Sequence, residues 1–174
     1  MQSDAARPPN FPEIVVRYQR RILSIAHRML GDLEEAKDMA QETFVRFWEK
    51  KISFVEERKV FAYLARTVTN LCIDQLRRRK RFRWLSLSSG ELQRESISPI
   101  DPERAVSDRE LARFVLKMAE RLKPRQKAVF VLRDIKGLSV KETSEILGCS
   151  EANVLVTLHQ ARKNLRKWLG PKLR

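Results

Sequence analysis

Apolar residues return at three- and four-residue steps along most of the chain, and no stretch alternates apolar with polar as a half-buried strand requires. Ile14, Tyr18, Ile22, Ile25, Met29 and Leu30 form the first such stripe, and Gly31 ends it. A chain patterned this way buries helix against helix, so the expected fold class is all-α.

The helix ends are written into the sequence. Asp32 can cap a second helix, and Glu35 three positions later completes a capping-box pattern. Along that helix Leu33, Ala36, Ala40, Phe44 and Phe47 point inward, while Glu34, Asp38, Gln41, Glu42 and Glu49 lie on or near the opposite face. A third helix is predicted over 57–81, carrying Phe61, Leu64, Ala65, Val68, Leu71, Cys72 and Leu76 inward and ending in Arg77-Arg78-Arg79-Lys80-Arg81.

Ser86, Ser88, Ser89, Gly90, Ser96, Ser98, Pro99 and Pro102 then break the periodicity. Three segments follow: an N-terminal domain at 11–85, a flexible linker at 86–107 and a C-terminal domain at 108–170. The charge follows the same division. Residues 1–85 carry 18 basic and 11 acidic side chains, 86–107 carry 2 and 4, and 108–174 carry 16 and 7.

The second module reads as a helix-turn-helix. Pro124 suits the first turn of a helix carrying Ala128, Val129, Val131, Leu132 and Ile135 up to Gly137. Ser139 caps the next helix with Glu142 in capping-box register, and Gly148 supplies a left-handed turn. Ser150 caps a last helix that packs Val154, Leu158, Ala161 and Leu165 inward, with Trp168 or Leu169 following. This is the geometry that lays a recognition helix in the DNA major groove.

A formal charge of +14 over 174 residues points to a polyanion as partner. No apolar run approaches the ~20 residues that span a bilayer, and the N-terminus has no apolar signal core, so a cytoplasmic location is expected. Cys72 and Cys149 lie far apart and, with only His27 and His159 beside them in the composition, make a poor metal set. Both thiols are expected to be structural, and no metal or cofactor is expected.

Two surfaces stand out against this basic background. The acidic face of the second helix either points away from nucleic acid or meets a basic partner. On the third helix, Tyr63, Arg66 and Asn70 follow one another at steps of three and four, with Phe54 in the preceding loop. Aromatic faces interleaved with cations suit a single strand, where stacking contributes ~1–3 kcal/mol per base; a core role for Phe61 or Tyr63 is the competing reading. Cations at a helix end gain only ~0.3–1 kcal/mol each from the dipole, which does not account for six basic residues within Arg77 to Arg83.

At these positions the chain resembles the extracytoplasmic-function (group IV) sigma factors, two-domain members of the bacterial sigma superfamily. Gly31-Asp32, Ala36, Asp38, Gln41-Glu42-Thr43-Phe44 and Trp48 look like that family's polymerase-binding helix, and Tyr63-Leu64, Arg66, Asn70, Ile73-Asp74 and Leu76 with the Arg run look like its promoter-melting helix. Leu122, Pro124-Arg125-Gln126, Gly137-Leu138-Ser139, Glu142, Glu145-Ile146-Leu147-Gly148, Ser150, Val154 and Ala161-Arg162 follow its DNA-reading module.

The resemblance implies a promoter-specificity subunit that binds core RNA polymerase, recognises promoter DNA and helps to open it. Asp38, Gln41 and Glu42, with Glu34 and Glu35, would dock on the basic coiled coil of the largest polymerase subunit. Phe54, Lys59, Phe61, Tyr63, Arg66, Asn70, Arg77, Arg78, Arg79 and Lys80 would contact the minus-ten element. Ser150, Glu151, Asn153, Leu155, Val156, Thr157, His159, Arg162, Lys163 and Arg166 would face the minus-thirty-five element. It also implies an anti-sigma factor as a further partner, in some cases holding the protein at the inner membrane, and neither a small-molecule substrate nor catalytic residues.

The chain departs from the family where specificity should lie. Val154 is followed by Leu155-Val156-Thr157 where Lys, a small polar residue and Arg are usual, and Gln160 stands where Arg is common. Leu155 and Val156 either meet thymine methyls, or leave the helix to rely on phosphates and shape, or face a protein. Thr143 and Ser144 replace an apolar pair, which implies a softer module. A stand-alone helix-turn-helix regulator is the alternative reading; it would need neither the acidic face nor the single-strand surface. A recombinase or nuclease would need a nucleophile or paired metal carboxylates, and the sequence shows no convincing set.

Overall fold

A computed structural model describes residues 10–50, 57–88 and 108–170. Within them the chain is helical: α1 (Phe11–Leu30), α2 (Leu33–Glu49), α3 (Glu57–Ser88), α4 (Asp108–Ala119), α5 (Pro124–Phe130), α6 (Val140–Leu147) and α7 (Glu151–Leu169). No strand occurs among the described residues.

The caps form where side-chain chemistry allows. Asn10 and Glu13 close a reciprocal capping box on α1, one turn earlier than the apolar stripe begins. Gly31 takes φ 76° and donates its N–H to the His27 carbonyl at 2.9 Å. At α2 only half of the expected box is made. Asp32 Oδ1 accepts from the Glu35 N–H at 2.8 Å, but the Glu35 carboxylate turns to Arg79, 2.5 Å away, and to Gln75 at 3.2 Å. A guanidinium brings a second full charge to the bond, which a backbone amide does not.

Helix α3 runs to Ser88, past the expected end at Arg81. No Gly or Pro occurs between Glu57 and Ser88, so nothing in the backbone interrupts the ladder at the cationic run. The first residues assigned to the linker therefore belong to this helix. Residues 89–107 lie outside the described residues, as does Phe54.

In the second module α5 passes directly into a π-helical turn, Val131–Ile135. The Lys136 N–H reaches the Val131 carbonyl five residues back at 2.9 Å, and the Leu138 N–H reaches the Leu132 carbonyl at 3.0 Å. The turn unwinds the helix before Gly137 and leaves Ile135 more exposed than the sequence predicts. Ser139 and Glu142 form the expected reciprocal box on α6, and Ser150 caps α7.

The N-terminal module wraps α1, α2 and α3 around Ile22, Ile25, Met29, Phe44, Leu64 and Val68. Leu33, expected to point inward, is 46% exposed because it sits at the first turn of α2, outside the helix crossing. The helix-turn-helix packs onto this module. Val129, Leu132, Leu138, Ile146, Val154 and Leu158 join the same buried cluster, while Phe114, Met118, Leu122, Phe130, Ala161 and Leu165 form a second one under α4. Apolar burial contributes ~25 cal/mol per Å², so contact between the modules stabilises them jointly.

Polar contacts border this contact. Arg58 lies 3.5 Å from Glu145, and Lys136 Nζ donates to Ser24 Oγ. A Cβ at Gly148 would come within 3.1 Å of Arg66 Nη2. Lys127 is buried beside Cys72 and Arg79, and desolvation holds its ammonium below the usual lysine range.

Candidate functional site

Helix α2 places its acidic residues differently from one another. Asp38 and Gln41 are exposed, and Asp38 has no ion-pair partner among the described residues. Glu42 pairs with Arg46 at 2.7 Å and Glu34 with Lys37 at 2.7 Å, both on the surface. Such exposed pairs contribute little, ~0–1 kcal/mol, so both carboxylates can exchange partners. Glu35 is committed to Arg79 and Gln75 of α3. It holds α2 against α3 instead of extending the acidic face.

Beside Gln41 an open groove of about 610 Å³ runs between α1 and α2. Phe11, Val15, Leu23, Phe44 and Val45 line it with Trp48. Trp48 is 61% exposed and tilts against Phe11, with ring centroids 4.9 Å apart. An exposed apolar patch of this kind marks a place of association. The acidic pattern alone did not disclose it, because the groove needs α1 and α2 side by side.

On α3, Lys59, Arg66 and Asn70 are exposed. Phe61 is half-buried between the Tyr18 ring, centroids 6.0 Å apart, and the Arg21 guanidinium, 3.8 Å from its centroid. Tyr63 is half-buried too, edge-on to Phe47 at 5.7 Å, with Lys50 Nζ 5.6 Å from its ring. Both aromatics lean on the core, so the competing structural reading describes the packing of each.

The cationic run is likewise divided. Arg79 donates to the Leu30 carbonyl at 2.8 Å and pairs with Glu35, a structural post at the end of α1. Arg77 pairs with Asp74 at 3.3 Å. Arg78, Lys80, Arg81 and Arg83 point to solvent, as does Trp84.

On α7, Glu151, Asn153, Leu155, Val156, His159, Lys163 and Arg166 are exposed, and Thr157 is half-buried. Ser150 Oγ accepts from the Asn153 N–H at 3.2 Å, and Thr157 Oγ1 donates to Asn153 Oδ1 at 3.1 Å. Arg162 is spent within the module: its Nε and Nη2 donate to the two Asp134 oxygens at 2.9 and 2.6 Å. That fork raises the Arg162 pKa. Sequence periodicity could not identify Asp134, 28 positions away, as the partner.

Burial pushes the Cys72 thiol up to about 12, which leaves no reactive thiolate near neutrality. No group of three His, Cys, Asp or Glu side chains able to hold a metal occurs among the described residues, and none of their helices is long and apolar enough to cross a membrane.

Comparison with known proteins follows the same division of the chain. Residues 14–82 match the Sigma-70 region 2 family and residues 115–165 the Sigma-70, region 4 family. The chain is 34% identical over 165 residues to the ECF RNA polymerase sigma factor SigW of Bacillus subtilis, covering 91% of this chain and 88% of that one. It is 31% identical over 167 residues to SigE of Mycolicibacterium smegmatis, covering 96% of this chain and 64% of that relative; against SigG of Mycobacterium tuberculosis it spans about half of the relative's length, 46%. Among solved structures, the sigma factor RpoE of Bartonella quintana, crystallised with the anti-sigma factor NepR, superposes with a TM-score of 0.65 at 22% identity, over 92% of this chain and 96% of that one. The two sigma-region matches in order, an acidic α2, a cationic α3 and a capped helix-turn-helix together place this chain in the family of extracytoplasmic-function RNA polymerase sigma factors.

Proposed function

We propose that this chain is a promoter-specificity subunit that joins core RNA polymerase and directs it to a promoter. The observation that carries the reading is the exposed pair Asp38 and Gln41 beside the Trp48 groove, on a protein otherwise strongly basic. An apolar centre with a polar rim is the anatomy of a protein interface. Its acidic rim suits a basic polymerase element, with Glu42 and Glu34 free to change partners.

DNA contacts fall on the two cationic modules. Lys59, Tyr63, Arg66 and Asn70, with Arg78 and Lys80, offer cations, an amide and an aromatic edge to the separated strand of the minus-ten element. Opening then rests on binding energy for unstacked bases, without covalent chemistry. Phe61 and Arg79 support this surface from beneath. Helix α7 reads the upstream duplex. The packing of α6 on α3 brings Gly148 against Arg66, so engaging both DNA elements requires the modules to part. A protein that holds them together would keep the subunit inactive, which is the role we assign to an anti-sigma partner.

Co-elution of the purified chain with bacterial core RNA polymerase, wild type beside an Asp38→Ala, Gln41→Ala, Glu42→Ala variant, tests the reading. Transcription from a genomic DNA pool follows. Wild-type co-elution with new discrete start sites, both lost in the variant, is expected. Duplex binding by the chain alone, with no polymerase association, would move the reading to a stand-alone regulator.

A further inference from the structure

Two large hydrophobic side chains lie exposed next to one another on α7: Leu155 is 53% and Val156 57% exposed. Neither is used to hold the module together, since Val154, Leu158, Ala161 and Leu165 supply the buried stripe of that helix. Ala152, one turn earlier, is exposed on the same side and extends the patch, and His159 lies one turn after Leu155. The cations Lys163 and Arg166 are exposed two and three turns on. At 1.5 Å per residue, Lys163 stands about 12 Å further along the axis than Leu155.

From this arrangement we infer that Leu155 and Val156 are the base-reading residues of α7 and that they take the C5-methyl groups of thymines in the major groove of the upstream element. The inference rests on the reading of α7 as a duplex-reading helix. Charge complementarity selects the occupant: cations on the C-terminal half fit phosphates, which brings the N-terminal half of the helix to the base edges. There an aliphatic side chain makes no hydrogen bond to any base edge, so apolar contact alone is left to discriminate. The only apolar group a base pair presents in the major groove is the thymine methyl. Asn153, oriented by its bond from Thr157, is the neighbouring side chain suited to adenine. The patch and its neighbour therefore both favour A·T pairs.

The test selects duplexes from a random pool with the full chain, alone and with core polymerase, and then replaces thymine by deoxyuridine at each selected position. Deoxyuridine keeps every hydrogen bond and lacks only the methyl. Wild type should lose about fourfold in affinity per contacted methyl removed, at one or two positions. A Leu155→Ala, Val156→Ala variant, shown to be folded by its circular dichroism, should bind the two duplexes equally. Selection of G·C pairs there, failure to select any duplex, or a deoxyuridine effect absent in wild type or retained in the variant would overturn the inference. So would a variant that keeps duplex binding but no longer co-elutes with polymerase, because the patch would then face a protein. Failure of the promoter-subunit reading has a different signature: no co-elution of wild type, with the deoxyuridine effect on the chain alone intact.

Discussion

Arg162 grips Asp134 with two parallel hydrogen bonds of 2.9 and 2.6 Å, tying α7 to the π-helical turn that precedes Gly137. The two residues are 28 positions apart, and the fork fixes how α7 leaves the module. It also removes one cation from the set available to phosphate. Replacing Asp134 by Ala should release that guanidinium. We expect the salt dependence of duplex binding to steepen by about one phosphate equivalent, together with a loss of about 1 kcal/mol in stability, the pair being half-exposed. An unchanged slope in a salt titration would show that Arg162 does not reach DNA even when freed.

Thr143 is fully buried in α6, and its hydroxyl has no hydrogen-bond partner among the described residues. An unsatisfied buried hydroxyl costs about 1–3 kcal/mol. Thr143→Val should therefore raise the melting temperature by about 2–12 °C for a chain of this size. Calorimetry showing no gain would mean that a water satisfies the hydroxyl. The softness that the polar pair Thr143 and Ser144 implies is thus assigned to one atom, since Ser144 Oγ donates to the Lys141 carbonyl at 2.7 Å.

Glu142 accepts from both the Ser139 N–H and its hydroxyl, at 2.8 and 2.7 Å, and these bonds lower its pKa. For a carboxylate held below its unfolded value, the stabilisation is complete above the ordinary Glu range, near pH 4.3. It is lost as pH falls through the lowered folded value. Glu142→Ala, which removes both acceptor oxygens, should erase this contribution, about 1 kcal/mol of cap energy at neutral pH. The difference between wild type and variant, followed by thermal melts, should shrink as the solution is acidified below pH 4.3.

The two thiols should behave oppositely toward an alkylating reagent. Cys72 is buried with its pKa pushed up to about 12, whereas Cys149 is only partly covered, in the turn before α7. Mass spectrometry at neutral pH should find Cys149 modified first and Cys72 only once the protein unfolds. Early labelling of Cys72 would show that the contact between the modules opens readily, because Lys127 from the second module packs beside it.

Trp48 should matter more to polymerase binding than any single carboxylate. Large half-exposed aromatics at the centre of an interface carry much of its affinity, whereas rim charges carry little. Trp48→Ala is expected to weaken association at least tenfold, and Glu34→Ala by less than threefold. Equal effects in a titration with core polymerase would place the groove outside the interface.

What the sequence by itself determined is the set of local decisions: the helical class, the stop at Gly31, the caps at Asp32, Ser139 and Ser150, the turn at Gly148 and the buried stripes. Each depends on residues within about one turn of one another, so periodicity and cap chemistry suffice. The acidic and cationic surfaces were legible for the same reason, as faces of single helices. Only the tertiary structure decided which of those charges remain available. Glu35 went to Arg79, Arg162 to Asp134, and Phe61 into a stack between Tyr18 and Arg21. It also decided that α3 continues past its arginines and that the helix-turn-helix packs on the first module. These choices pair residues tens of positions apart, and a charged side chain takes the partner that packing brings within about 3 Å, which no local pattern specifies.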